Sequence, residues 1–188
     1  MVALEGLDAV GKTTAAAGLE KELIQIGIPV IVRHAERHYL RSEFRAARKR
    51  NDPLLKYLLQ ACAAKLLHDE IMAAPTESVF ICDRYFTSAR AYFVAVCGEP
   101  DLIDPRIPLL PDPDVPVLLE CGAVIRKVRL MKLKHKPSLR KLRATNDTFS
   151  DRMQHLMLPM YPWKIINTQR VSRRATVARL RDLVLEIL

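Results

Sequence analysis

The chain has 188 residues, enough to bury one α/β core and short for two, so a single domain over residues 1–188 is expected. Although 49% of the residues are hydrophobic, no run approaches the roughly 20 apolar residues of a membrane span, and no basic-then-apolar leader opens the chain. The formal charge of +9, from 30 Lys and Arg against 21 Asp and Glu, argues against an acidic or disordered chain and directs attention to where the excess lies. In chain order, residues 2–4 read as a short apolar strand, followed by Gly-Leu-Asp-Ala-Val-Gly-Lys-Thr-Thr and then a helical pattern over residues 15–26. Gly27 is a plausible helix stop, and residues 29–32 form a second strand. Residues 37–50 are basic with helical character. Asp52 and Pro53 can open a further helix that carries Leu54, Leu55, Leu58, Leu59, Cys62, Leu66 and Leu67 at helical spacing, most simply a core helix. A continuous apolar run at 79–82 ending at Asp83 fits a strand buried on both faces. Proline and aspartate dominate residues 99–116, read as a loop. Strands follow at 117–119 and 163–167, with a helix from about Ala123 and a closing helix over 171–188 that puts Val177, Leu180, Val184 and Ile187 on one face. Strands alternating with helices give an α/β fold with a five-stranded parallel sheet flanked by helices.

The nonapeptide at residues 6–14 satisfies every position of the G-x-x-x-x-G-K-[ST] phosphate-binding loop. Gly6 and Gly11 let the backbone curl, so that amides through Asp8, Ala9 and Val10 turn toward phosphate oxygens. Lys12 supplies a cation for the terminal phosphates, and the Thr13 hydroxyl can ligate Mg²⁺, with Thr14 completing the turn. The helix that follows adds its N-terminal dipole. These residues imply ATP binding.

Nine basic residues (Arg126, Lys127, Arg129, Lys132, Lys134, Lys136, Arg140, Lys141 and Arg143) fall between Cys121 and Asn146 with no acidic residue among them, while the rest of the chain is balanced. A solvated helix, a nucleic-acid patch and a lid over a polyphosphate are the three readings. The window holds no aromatic residue for base stacking, and a phosphate loop lies upstream, so a lid at about residues 130–146 is favoured over nucleic acid. Cys62, Cys82, Cys97 and Cys121 form no C-x-x-C pair and read as free thiols, consistent with a cytoplasmic protein.

Asp83 at the end of a buried strand is where nucleotide enzymes hold Mg²⁺ directly or through water. Asp83-Arg84-Tyr85 continues to Ser88, Ala91 and Tyr92. Joined to Gly-Leu-Asp before the loop lysine, this pattern resembles the thymidylate kinase family of P-loop nucleoside monophosphate kinases. Pro111-Asp112 with the strand after it, the Asp147-Thr148-Phe149-Ser150-Asp151-Arg152 segment and the final strand extend the resemblance over nearly the whole chain. The resemblance implies a P-loop kinase fold with a helix after the lid, and ATP- and Mg²⁺-dependent phosphoryl transfer to a nucleoside monophosphate, with dTMP to dTDP as the leading expectation. It implies that Lys12, Asp83 and Arg84 are catalytic, with Arg140 or Arg143, or else Arg126 or Arg129, supplying a lid arginine. It implies that Thr13 and Asp83 organise the metal, and that Asp8, Glu36, Lys65, Arg84, Arg90 and Tyr92 face the acceptor, Tyr92 crowding the sugar 2′ position. It further implies a homodimer through the leucine-rich helix, which the residues alone would equally bury within one chain.

The departures cluster on the acceptor side. His34-Ala35-Glu36-Arg37 replaces the family's Arg-Glu-Pro, Ala61 stands for its base-stacking Phe, and Lys65 for its phosphate-binding Arg. Phe93 replaces a common Gln. Two readings follow: a thymidylate kinase in which Phe86, Phe93 or Tyr57 stacks the base, or a kinase of the same fold for another acceptor, such as a modified nucleotide, a nucleoside or another phosphorylated metabolite, with Arg90 and Arg37 adding charge. A basic nucleic-acid-binding P-loop protein is the third.

Overall fold

The computed structural model describes residues 1–98, 110–132 and 146–188, with Ala35 and Asp147 in backbone only. Five parallel strands form one sheet: β1 (Val2–Glu5), β2 (Val30–Arg33), β3 (Val79–Asp83), β4 (Val115–Glu120) and β5 (Lys164–Asn167). Their spatial order is β2-β3-β1-β4-β5. β1 is central, its Leu4 in register with Asp83 of β3 and Val117 of β4. Every strand therefore ends at the same edge, and the loops after β1, β2, β3 and β5 converge there.

Side-chain alternation explains why the sheet is covered on both faces. Val2, Leu4, Ile81, Val117 and Leu119 face one way, against Leu19 and Leu23 of α1 (Lys12–Gln25) and Leu180 and Val184 of the C-terminal helix. Ala3, Phe80 and Cys82 face the other way, against Tyr57, Ala64 and Leu67 on the long helix after Asp52 and Phe93 on the helix after β3. Cys82 is fully buried, and all four cysteines are free.

Between β2 and β3, residues 37–50 do not form one helix. They divide into α2 (Ala35–His38) and α3 (Arg41–Arg50), broken at Leu40, which takes the left-handed conformation at φ 50°. α4 (Pro53–Ala73) starts as expected, with the Asp52 carboxylate accepting from the Leu55 amide at 2.9 Å and Pro53 in the first turn. Its buried face departs from expectation. Tyr57, Gln60, Ala63, Ala64 and Leu67 point inward, whereas Leu54, Leu58, Cys62 and Leu66 are exposed. Small residues let α4 approach the sheet, and of the expected leucines Leu67 is buried while Leu54, Leu58 and Leu66 lie on its outer face.

α5 (Thr87–Cys97) follows β3. β4 begins two residues earlier than the loop expected over 99–116 allows, because Pro116 lies within it beside Ala3 of β1. Pairing with β5 starts only at Val117, so the missing Pro116 amide costs no ladder bond on that side. Residues 99–109 of that loop lie outside the described residues. α6 (Ala123–Met131) follows β4; the rest of the expected lid, with Arg140 and Arg143, falls outside the described residues. α7 (Asp147–Met157) is the helix that the family resemblance implied after the lid, capped by the Asn146 side chain. A 3₁₀ turn (Leu158–Met160) leads to β5, which starts at Lys164, one residue after Trp163. α8 (Arg173–Leu185) closes the fold with Val177, Leu180 and Val184 buried. Ile187 lies beyond the end of α8 and is 51% exposed, contrary to the expected stripe.

Candidate active site

The loop between β1 and α1 is held in conformations that its sequence makes accessible. Gly6 sits at φ 133°, and a Cβ there would come within 2.3 Å of the Leu119 carbonyl oxygen, so no other residue fits. Gly11, also left-handed, precedes α1 without a side-chain cap, leaving the first-turn amides for an anion. Ala9 is left-handed as well, at φ 66°, an unfavourable state for a side-chain-bearing residue.

Two arginines of α6 brace this loop from behind. Arg126, 3% exposed, donates from Nε to the Asp8 carbonyl at 3.1 Å. Arg129 donates from Nη1 to the Ala9 and Val10 carbonyls at 3.3 and 3.2 Å, and to Thr168 Oγ1 at 3.1 Å. Thr168, just after β5, donates its hydroxyl to the Val10 carbonyl at 2.7 Å. The strained turn at Ala9 is thus bonded on both sides.

Lys12 is buried at the floor, and its Nζ donates to the Gly6 and Leu7 carbonyls at 3.0 and 2.7 Å. Burial, reinforced by the nearby Arg84 charge, pushes its ammonium from the ordinary 10.5 down to about 7. Thr13 Oγ1 donates to Asp83 Oδ2 at 2.6 Å, across the β1–β3 register. This hydroxyl and carboxylate are hard oxygen donors of the kind Mg²⁺ takes when phosphate oxygens and water complete its shell. Among the described residues no cluster of three or more His, Cys, Asp or Glu could hold a metal unaided, so the donor set fits a metal arriving with a nucleotide.

Arg84 follows Asp83 at φ 72°. Its guanidinium pairs with Asp8 and donates to the Gly6 carbonyl at 3.1 Å and to Ser88 Oγ at 2.8 Å. Burial works against this charge, and Asp8, Glu5 and Asp83 more than offset it. Glu5, fully buried, accepts from the Tyr85 and Ser88 amides at 3.0 and 3.3 Å and so caps the start of α5. Sequence reading passed over Glu5 and Thr168; the one available signal for Glu5 was a carboxylate interrupting an apolar strand.

The phosphate loop, Asp83, Arg84, Arg129 and Thr168 line a cleft of about 640 Å³. The loop from Asp8 to Ala15 is its floor. One wall carries His34, Arg37, Asp83 and Arg84; the other carries Arg129, Leu130, Thr168, Val171, Arg173 and Thr176. The His34 ring is held below its ordinary pKa, by burial first, and is neutral at pH 7. The Arg37 side chain makes no hydrogen bond or ion pair among the described residues. A small adjoining cavity is lined by Asp8, Arg84, Ser88, Tyr92 and Phe149, with the Tyr92 and Phe149 rings edge to face at 5.9 Å.

Of the residues expected to face the acceptor, Asp8, Arg84 and Tyr92 come together here. Glu36 is instead turned to Arg48 and Lys65 to Asp69, and neither these two nor Arg90 line either cavity. Tyr57, Phe86 and Phe93 cannot stack a base. All three are buried, and Tyr57 stacks on both phenylalanines, its ring 5.4 Å from Phe86 and 4.8 Å from Phe93.

A sequence profile of thymidylate kinase matches residues 4–176, covering the phosphate loop, Asp83 and both walls of the cleft. The chain belongs to the thymidylate kinase family. Membership supports phosphoryl transfer to a nucleoside or nucleotide at the expense of a nucleoside triphosphate. Among solved structures, a deoxyadenosine kinase from M. mycoides with bound dCTP is similar at 12% identity and TM-score 0.60, over 98% of each chain. The same kinase with products dCMP and a flexible dCDP gives 14% identity and TM-score 0.66, again over 98% of each chain. At this identity the two show a shared fold. No curated protein sequence matches the chain.

Proposed function

We propose that this family member transfers the γ-phosphoryl group of ATP to a nucleoside monophosphate, with dTMP the leading acceptor. The observation that carries an acceptor phosphate is Arg37, an arginine without a partner among the described residues, on the cleft wall opposite Arg129 and Arg173. An unpaired guanidinium there can receive a phosphate dianion in bidentate fashion, which a hydroxyl acceptor would not require. The loop amides and Lys12 would hold the β- and γ-phosphates. Mg²⁺ held by Thr13 and Asp83 together with phosphate oxygens would supply charge neutralisation. Arg84, fixed by Asp8 and Ser88, would stabilise the equatorial oxygens of the group in transfer. No strong base is needed, because the attacking phosphate oxygen is already anionic. Arg140 and Arg143 remain our candidates for the arginine that closes over the reaction, since Arg126 and Arg129 are engaged with the loop carbonyls. Tyr92, beside Asp8 and Arg84, would face the sugar.

A second reading has its own support. His34, neutral and on the same wall near Asp83, can accept a proton from a hydroxyl, and the fold neighbours are named as deoxyadenosine kinase. Phosphorylation of a nucleoside would use it. ADP release from ATP and Mg²⁺ across nucleoside monophosphates, nucleosides and sugar phosphates decides. Turnover on dTMP supports the first reading, and turnover confined to nucleosides supports the second. Silence across the panel, with salt-dependent oligonucleotide binding instead, would replace both with a nucleic-acid role. The reading carries with it one kinase domain, a cytoplasmic site of action, and a homodimer through the exposed face of α4. Among the described residues no helix is long and apolar enough to cross a membrane.

A further inference from the structure

The wall segment that carries His34 and Arg37 is poorly equipped to hold its own position. α2 is a single turn, in which the Arg37 and His38 amides both donate to the His34 carbonyl, at 2.9 and 3.1 Å. A helix of one turn has almost no intrinsic stability. The left-handed Leu40 then cuts it off from α3. Besides the Glu36–Arg48 ion pair, a side chain on another element holds it at both ends. Arg33, the residue before the segment, donates from Nε to both Glu70 oxygens at 2.9 and 3.0 Å, and its Nη2 also bonds Glu70. Tyr39, the residue after the segment, donates its hydroxyl to Glu70 Oε2. Glu70 is on α4, lines neither cavity, and bonds both ends of residues 34–38.

We propose that Glu70 is a positioning residue for acceptor binding, clamping the ends of the 34–38 segment through Arg33 and Tyr39 so that Arg37 and His34 are presented to the cleft. The proposal rests on the reading of that wall as the acceptor side. A purely structural brace predicts something different. The Arg33 and Glu70 side chains are 28% and 29% exposed, and a pair so accessible to water adds little to global stability. Glu70 has local leverage, because through Arg33 and Tyr39 it holds both ends of a one-turn helix that is otherwise tied by the exposed Glu36–Arg48 pair.

The test compares the wild-type protein with Glu70→Ala, Tyr39→Phe and the conservative Glu70→Asp. Amide hydrogen exchange of residues 34–38 is read without any substrate, alongside Tm and steady-state kinetics on the acceptor that the wild type turns over. Glu70→Ala is expected to speed exchange at 34–38 and raise the acceptor KM about tenfold, with the ATP KM and kcat within about twofold. Tm should stay nearly unchanged, Tyr39→Phe should give part of the effect, and Glu70→Asp should recover part of it. Unchanged exchange and acceptor KM in Glu70→Ala would overturn the clamp. A fall in Tm with equal losses on both substrates would overturn it too, in favour of a plain structural brace. Wild-type silence toward every acceptor would defeat the kinase reading alone, because the exchange comparison still judges Glu70.

Discussion

Lys12 is buried with its nitrogen turned onto the Gly6 and Leu7 carbonyls, and burial together with Arg84 brings its ammonium down to about 7. Between pH 7 and 10.5 the unfolded chain therefore carries a proton on this lysine that the folded, ligand-free protein lacks, so its contribution makes folding more favourable as pH rises through that window. A bound polyphosphate reverses the balance by restoring the charge. ATP binding at pH 8 is accordingly expected to take up a proton and to weaken as pH rises from 7 to 9. Calorimetry in two buffers of different ionisation enthalpy measures the uptake. Lys12→Ala should abolish turnover, with loss of at least about 100-fold in kcat, and full activity in that variant would end every kinase reading at once. Lys12 and Thr13 were legible in the sequence because loop chemistry dictates both residue type and spacing, and Asp83 because it is a carboxylate ending a continuous apolar strand. Thr168 and Glu70 were not, because each acts through hydrogen bonds to residues far away in the chain that leave no local pattern, and Glu5 left only its carboxylate beside an apolar strand. Aromatic side chains misled for a related reason: Tyr57, Phe86 and Phe93 are equally good base stackers and core fillers, and only packing decides between them.

At the scale of elements, apolar runs and turn residues located all five strands, because a parallel sheet covered on both faces demands continuous hydrophobic segments. What periodicity could not tell was which side of α4 faces inward, since the helix buries Ala63 and Ala64 with Tyr57 and Leu67 while Leu54, Leu58 and Leu66 are exposed. Nor did it reveal that α6 works as a brace. Arg126 and Arg129 are one turn apart, so both guanidinia reach the same stretch of loop, and α6 runs directly toward the basic segment. Arg126 lines neither cavity, so its effect on nucleotide binding has to pass through the loop. Arg126→Met is expected to lower stability by about 2 kcal/mol, as lost charge-assisted bonds leave the Asp8 carbonyl unpaired, and to raise the ATP KM about tenfold with the acceptor KM little changed. Denaturant unfolding and two-substrate kinetics measure both. A variant with wild-type ATP KM would show that the loop keeps its shape without the brace.

At the scale of the whole molecule, one surface row among the described residues bears on the proposed homodimer. Leu54, Leu58 and Leu66 are 39%, 41% and 43% exposed and, with the exposed Cys62, recur every four residues along α4. Scattered surface leucines are ordinary, but a row along a 21-residue helix is a continuous apolar stripe of the kind a partner covers. A twofold contact between two copies of α4 would bury the stripe against itself. It would also bring Cys62, near the middle of the row, close to the axis. Two measurements then bear on the same geometry. Sedimentation should give a dimer for the wild type and a monomer for Leu58→Glu, since a charge buried at the centre of such a contact has no partner. Mild oxidation should cross-link two chains through Cys62 in the wild type and fail to do so in Leu58→Glu or Cys62→Ser. A wild-type monomer at micromolar concentration would refute the contact. In a dimer of this kind Glu70, one turn beyond Leu66 on the same helix, would be held by the interface as well as by its own chain, and Leu58→Glu should then raise the acceptor KM in step with dissociation. An acceptor KM that stays constant while the dimer falls apart would separate the two roles of α4.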